Sequence, residues 1–161
     1  MKRDQGVEVR VGTAEDAAAV VELIGRVFAE YRWIWDPPRE VPDLLAFSDH
    51  YVEPRGAFWV VADHGRVVGS VGVERLEDGV AELHRLYLAP DRRGQGLGEA
   101  LVEQVLDWCR ARAIGRLVLW SDTRFEHAHR LYLRLGFRQH GARTLPGDIN
   151  DSREYGFQRE V

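Results

Sequence analysis

Between a β-rich segment and an amphipathic one, the chain carries Arg93-Gly94-Gln95-Gly96-Leu97-Gly98. Glycines there let the main chain approach a ligand closely, and the amides that open the following helix have no carbonyl partners of their own. Such a turn is an anion site, and Arg93 adds a fixed positive charge suited to a phosphate oxygen. The ligand class it points to is a phosphate or pyrophosphate; the structural alternative is a tight turn whose glycines serve geometry alone. Three phosphate motifs compete for it. A dinucleotide-type Gly-x-Gly-x-x-Gly is not met, because the sixth position from Gly94 is Glu99 and from Gly96 is Leu101. A P-loop is not met, because the chain contains no Gly-Lys-Ser/Thr triplet. The pattern Arg/Gln-x-x-Gly-x-Gly/Ala is met at every fixed position from Arg93 to Gly98. A second pair of chemical groups lies just upstream. Glu82 and His84 stand two apart in a β-rich run, so both side chains share one face of the strand.

These residues need elements to hold them. Val7 to Val11 alternates apolar and polar residues and predicts a first strand. Thr13 and Asp16 predict a capping box, and Val20, Leu23, Ile24, Val27, Phe28 and Tyr31 recur behind them at helical spacing. Arg32 to Pro42, with Trp33, Trp35 and its prolines, predicts a loop or a broken helical connection, and Leu44 to Tyr51 a short second helix. Ala57 to Ala62 and Arg66 to Val73 read as strands around the hairpin signal Asp63-His64-Gly65. Ala81 to Leu88 follows a turn at Glu77-Asp78-Gly79 and ends before Pro90. The glycine run then opens a helix with Leu101, Val102, Val105, Leu106 and Cys109 on its inner face. Leu117-Val118-Leu119-Trp120, within Arg116 to Ser121, is a continuous apolar run of the kind covered on both faces. Ala128, Leu131, Tyr132 and Leu135 form another helical stripe, closed by Gly136. Phe137 to Leu145 and Glu154 to Gln158 finish the chain as strands around a polar loop. The order predicts an α/β fold over residues 1–161, with helices on both faces of one mixed sheet.

The 161 residues fit one ordinary domain. Apolar residues make up 45% of the chain, enough for a core, and 30% are charged. A formal net charge of −4 supplies no basic stripe for phosphate contacts, which excludes a general nucleic-acid binder. Cys109, the single cysteine, has no intramolecular partner and fits a reducing compartment. Apolar runs such as Phe58 to Ala62 are too short to span a bilayer, and the polar opening Met1 to Gly6 has no apolar stretch behind it. A cytoplasmic protein is the expectation. His127 and His129 flank Ala128 beside Glu126, but residues two apart on a helix point to different faces, so no metal site is expected.

The pattern from Arg93 to Gly98 resembles that of the GNAT superfamily, the acyl-CoA-dependent N-acetyltransferases. Glu82-Leu83-His84-Arg85-Leu86-Tyr87-Leu88-Ala89-Pro90 looks like that family's fourth strand, which runs into the pyrophosphate loop. Ala128 to Phe137, with Leu131-Tyr132 followed by Gly136-Phe137, looks like its late helix and the strand after it. The clear match covers Ala81 to Arg138. The resemblance implies a single GNAT-like domain with a mostly antiparallel mixed sheet of six to seven strands. It implies acetyl-CoA as cosubstrate, with the pyrophosphate on the amides of Gly94, Gln95, Gly96, Leu97 and Gly98, and Arg93 nearby. The pantetheine arm would pair with the main chain of Leu86, Tyr87 and Leu88, where the fourth strand splays from the next. Phe125 departs from the family, which often has asparagine at that position.

Acetyl transfer needs a neutral amine, a polarised carbonyl and a proton for the departing thiolate. An amine with a pKa of about 10 is almost wholly protonated at pH 7, so a base or a water chain is required. By register from the glycine turn, Glu82 falls where some family members place a glutamate base and His84 where others place a histidine. Glu82 is the expected acceptor, with His84 as partner or substitute. Tyr132 matches the family's tyrosine, and a phenol that stays protonated near neutrality can act as the acid. The plainer alternative for Tyr132 is a core aromatic on the stripe of Leu131 and Leu135. Direct attack in a ternary complex requires no protein nucleophile, and Cys109 reads as inert packing. Trp33 and Trp35, with Phe47 or Tyr51, are candidates to wall an acceptor cleft near Glu82. The acidic loop Pro146 to Ser152 can attract a cationic amine. Two function classes fit: an N-acetyltransferase acting on a small-molecule primary amine, or a non-catalytic acyl-CoA sensor that keeps the loop. Retention of Glu82, His84 and Tyr132 together favours the enzyme. A homodimer paired through a sheet edge or helix face is compatible with either.

Overall fold

The computed structural model describes residues 6–161. The opening Met1 to Gln5, read above for the absence of a leader, lies outside the described residues. Seven strands form one sheet: β1 (Val7–Val11), β2 (Gly56–Asp63), β3 (Arg66–Glu77), β4 (Val80–Leu88), β5 (Arg116–Asp122), β6 (Arg138–Thr144) and β7 (Arg153–Glu160), in the order β1-β2-β3-β4-β5-β7-β6. Every pairing is antiparallel except that of β4 with β5, which run parallel. Helix α1 (Ala17–Glu30) follows β1, α5 (Leu97–Ala111) bridges β4 and β5, and α6 (Glu126–Arg134) leads from β5 to β6. The helix expected from Leu44 to Tyr51 is instead part of a chain of single turns: α2 (Pro37–Glu40), α3 (Pro42–Leu45) and α4 (Phe47–His50). Pro37 and Pro42 start the first two turns, where a missing N–H costs nothing. Val41 and Ala46 leave helical geometry between them, with φ of −133° and −122°.

The sheet's alternation sorts its two faces. On β2, Phe58 points toward Phe47 and Tyr51, so α1 and the short turns cover that side. The opposite side packs against α5 and α6, where Arg75 lies over the Trp108 ring and Gly98 leaves room for Leu131. Val20, Leu23, Ile24 and Val27 of α1 and Leu101, Val102, Val105 and Leu106 of α5 are fully buried as their spacing predicts. Each such side chain contributes about 1.5–3 kcal/mol when removed from water. The β2–β3 hairpin turns on His64 and Gly65, with φ of 48° and 82°, the two consecutive positive values of a type I′ turn.

What matters for the site is where the pairing stops. β4 and β5 are in register only at Val80–Arg116, Ala81–Leu117 and Glu82–Val118. Beyond Glu82 the strands part. A bulge in β4 accompanies the parting: the register against β3 shifts between Ser70 and Gly72, Arg85 takes φ 54°, and the Ser70 hydroxyl donates to the Arg85 carbonyl at 2.7 Å.

Candidate active site

A cavity of about 1270 Å³ runs through the gap between β4 and β5. It is lined by Gly94, Gly96, Gly98, Ala128, Leu131 and Tyr132 from the α5/α6 side, and by Glu74, Glu82, His84, Trp33 and Trp120 from the α1 side. Leu86, Tyr87 and Leu88 form its wall along the free edge of β4.

The glycine turn has the form of a cradle. Gly94 and Gly96 take φ of 75° and 81°, and a Cβ at either would meet nothing within 4 Å. The space above the turn is therefore open to a ligand. Gly96 caps α5, and among the described residues the amides from Arg93 to Glu99 find no main-chain acceptor. These unpaired donors at a helix start suit a diphosphate. Gln95 and Leu97 contribute main chain alone, since the Gln95 side chain folds back onto the Asp91 carbonyl at 3.2 Å and Leu97 packs against the core. Arg93 is more committed than its sequence position implies. Its guanidinium donates to Glu30 at 2.6 Å and to the Leu88 carbonyl at 3.3 Å, tying the end of α1 to the end of β4.

Glu82 and His84 meet on the α1 face, with Glu82 Oε1 2.5 Å from His84 Nε2. The other imidazole nitrogen, Nδ1, lies 3.2 Å from the Tyr51 hydroxyl and 3.5 Å from Glu74 Oε1. Glu74 is 7% exposed and is held by His50 at 2.9 Å and by Arg55 at 3.0 Å. Tyr51 in turn donates to Asp43, which takes a two-pronged bond from Arg85 at 2.6 and 3.1 Å. Burial pushes the Asp43 carboxyl up, but the bonds from Arg85 and Tyr51 outweigh it and hold the group below its ordinary value. Asp43, Arg85, Glu74 and His50 had no place in the sequence-based site, and Tyr51 entered it only as a candidate wall of the acceptor cleft, not as a partner of His84. They come from four elements, and only the bulge in β4 aims Arg85 at Asp43.

Tyr132 lies on the opposite side of the slot and is 4% exposed. Burial raises its phenol well above the ordinary value, so it stays protonated. Its position follows from the end of α6. Phe137 N–H donates to the Tyr132 carbonyl at 2.9 Å and Gly136 N–H to Leu133 at 3.2 Å, with Gly136 at φ 88°. That is a Schellman cap, and its apolar contact is Tyr132 against Phe137, with ring centroids 5.6 Å apart. The cap explains why Leu-Tyr and Gly-Phe occur together.

The aromatic residues after α1 divide. Another Schellman cap, with Arg32 at φ 57° and Trp33 N–H donating to Phe28, turns Trp33 back into the cavity wall. There it stacks on Tyr31 and lies 5.3 Å from Phe125, with Arg124 over its face at 4.0 Å. Trp35, expected beside it, instead fills the space left by Gly25 on α1 and packs on Phe28, outside the lining. Phe125 joins Tyr31 and Trp33 in the wall. His127 contacts Arg130 at 2.9 Å and His129 contacts Ser121 at 3.1 Å, on separate faces of α6. Cys109 is buried, and burial pushes its thiol up to about 11.

Known proteins resemble the chain in sequence and in fold. A family profile described as Acetyltransferase (GNAT) family matches residues 24–137. The uncharacterized N-acetyltransferase YjgM of Escherichia coli (strain K12) is 33% identical over 130 residues, covering 78% of each chain. The N-acetylaspartate synthetase of Danio rerio is 34% identical over 110 residues, 65% of this chain but 39% of that protein. Among solved structures, an acetyltransferase from Streptococcus agalactiae 2603 superimposes with a TM-score of 0.79 at 26% identity, covering 95% of this chain and 98% of that one. The ribosomal-protein-S18-alanine N-acetyltransferase of Escherichia coli shares the fold (TM-score 0.75, 20% identity, 96% and 94% coverage). So does a Bacillus anthracis str. Ames acetyltransferase solved in complex with acetyl coenzyme A (TM-score 0.63, 15% identity, 71% and 68% coverage).

Proposed function

Since the chain belongs to the GNAT family of acetyltransferases and uses acetyl-CoA as its cosubstrate, we propose that it acetylates the primary amine of a small molecule, with the Glu82–His84 pair as base and Tyr132 as acid. The observation that carries the acceptor class is the closure of the α1-side mouth. The loop between β6 and β7 is clamped to the segment after α1 by Asn150, whose side-chain amide accepts from the Ile34 N–H at 2.7 Å and donates to the Ile34 carbonyl at 2.9 Å. Arg124 reinforces it, donating to the Asn150 carbonyl at 3.2 Å and pairing with Asp122. An extended peptide would have to lie across the line that these bonds bridge. A compact amine enters beneath it.

The amides of Gly94 to Gly98 would hold the diphosphate, and the free edge of β4 at Leu86 to Leu88 would orient the arm within the gap. Bound there, acetyl-CoA supplies an acyl group activated as a thioester. Glu82 and His84 take the proton from the incoming ammonium, leaving a nitrogen lone pair for direct attack. Tyr132 holds a proton at Oη, which among the described residues has no hydrogen-bond partner, and that proton is available to the departing sulfur. Trp33, Tyr31 and Phe125 wall the apolar part of the acceptor space, and Asp148 lies at its rim.

Thiol release from acetyl-CoA, measured against a panel of amino acids, polyamines, aminoglycosides and peptides with free N-termini, tests this directly. Turnover with at least one small amine is expected, and Glu82→Gln should lower kcat by about 10²-fold. Turnover confined to peptides would overturn the acceptor class. Absence of release with every amine would overturn catalysis itself and leave an acyl-CoA sensor.

A further inference from the structure

The hydrogen bonds behind His84 carry information that its contact with Glu82 does not. We infer that Tyr51 is a positioning residue that fixes the tautomer of His84, placing the ring proton on Nδ1 and leaving Nε2 to accept the proton it shares with Glu82. This rests on the assignment of Glu82 and His84 as the base.

Arg85, behind Tyr51, can only donate. It gives two hydrogen bonds to Asp43 and a third to the Glu40 carbonyl at 3.1 Å. Asp43 is therefore an ionised carboxylate, able only to accept. The Tyr51 hydroxyl, in a side chain that is 3% exposed, donates its one proton to Asp43. What Oη then turns toward His84 Nδ1, at 3.2 Å, is a lone pair. The second group facing Nδ1 is the Glu74 carboxylate at 3.5 Å, itself satisfied by His50 and Arg55. Both neighbours of Nδ1 are acceptors, so Nδ1 carries a proton, and the nearer contact at Nε2, with Glu82 Oε1 at 2.5 Å, needs a second proton that these two groups share. In the opposite tautomer the Nδ1 lone pair would face two oxygen lone pairs across a largely buried site.

The consequence lies at the other nitrogen. With Nδ1 protonated, Nε2 of the neutral ring meets Glu82 Oε1 at 2.5 Å as an acceptor, and one proton lies between them. When Glu82 takes the amine's proton on its second oxygen, the proton already held at Oε1 passes to Nε2, and the imidazolium so formed faces Glu74 and Tyr51 Oη. The same pair in the other tautomer would have Nε2 already occupied, and Glu82 would have to keep the proton. Asp43, Tyr51 and His84 thus act in series, none but His84 being in contact with Glu82.

Long-range ¹H–¹⁵N correlation of the imidazoles in the uniformly labelled full chain reads the tautomer without any variant. A protonated Nδ1 on His84 is expected in the parent near neutral pH. Tyr51→Phe should yield a tautomer mixture and lower kcat by roughly 10- to 100-fold, with KM for acetyl-CoA within about twofold. Asp43→Asn, which releases the Tyr51 proton, should shift the mixture toward protonated Nε2. A bare Nδ1 in the parent, or an unchanged His84 spectrum in a folded Tyr51→Phe protein, would overturn the role of Tyr51. Full turnover by Glu82→Gln would instead remove the base, and with it the catalytic meaning of the tautomer.

Discussion

Tyr132 shows how one side chain can be fixed in place by packing while its chemistry stays free. Its ring packs on Phe137 and Phe157, at 5.6 and 5.4 Å between centroids, and burial keeps its phenol protonated. Because the hydroxyl bonds to no group among the described residues, Tyr132→Phe should leave thermal stability within about 1 kcal/mol of the parent. The same change should lower kcat by 10²- to 10³-fold, on the order expected for a lost acid, with coenzyme A affinity unaltered. Paired unfolding and steady-state measurements separate the two effects. Tyr132, Glu82 and His84 were legible in the sequence because each sits in a local motif at fixed spacing. Asp43 and Glu74 were not, since they lie 41 and 10 residues from His84 and no local pattern joins them, and Tyr51, 33 residues away, was legible only as a candidate wall of the cleft. Trp33 and Trp35 could not be told apart either: what separates them is an arginine in the left-handed region at position 32, where sequence signals look for glycine.

At the scale of elements, the glycine turn is the part most exposed to a single change. Gly96 both takes a positive φ and caps α5, with open space where a Cβ would stand. Gly96→Asp adds about 1–2 kcal/mol of backbone strain and puts a carboxylate into a cradle built for an anion. Coenzyme A affinity measured by calorimetry should fall by more than about 100-fold, while circular dichroism stays that of the parent; undiminished affinity would place the diphosphate elsewhere. The helices and strands themselves were largely legible from periodicity, as were the hairpin at Asp63 to Gly65 and the end of α6 at Gly136. The bulge at Arg85 was not. Alternation along β4 reads Arg85 as pointing away from Glu82 and His84, and only the extra residue turns its guanidinium to Asp43 on their side of the sheet. The chain of single turns from Pro37 to His50 was legible as a broken connection up to Pro42, but beyond it the apolar spacing concealed the break at Ala46.

For the molecule as a whole, the same ion pair that orders the site also joins its layers. Arg85 of β4 and Asp43 of α3 are both largely buried, at 24% and 12% side-chain exposure. Removing one partner strands the other, so Arg85→Ala should cost about 3 kcal/mol of stability. The pH dependence has a definite sign. Asp43 titrates lower in the folded chain than in the unfolded one, where a carboxyl has a pKa of about 3.9. Its contribution is complete above that value and is lost as pH falls through the folded one. The stability gap between the parent and Asp43→Asn should therefore be widest near pH 7 and narrow steadily below about pH 4, as denaturant midpoints at several pH values would show. We propose that the gap opened where β4 leaves β5 after Glu82 is the place where acyl carrier and amine meet. Titrating coenzyme A into ¹⁵N-labelled protein tests it most directly. The amides of Gly94, Gly96 and Gly98 and those of Leu86 and Leu88 should shift most and saturate together, while those of β1 and the β2–β3 hairpin stay in place. Saturable shifts elsewhere, with the cradle amides unmoved, would contradict it.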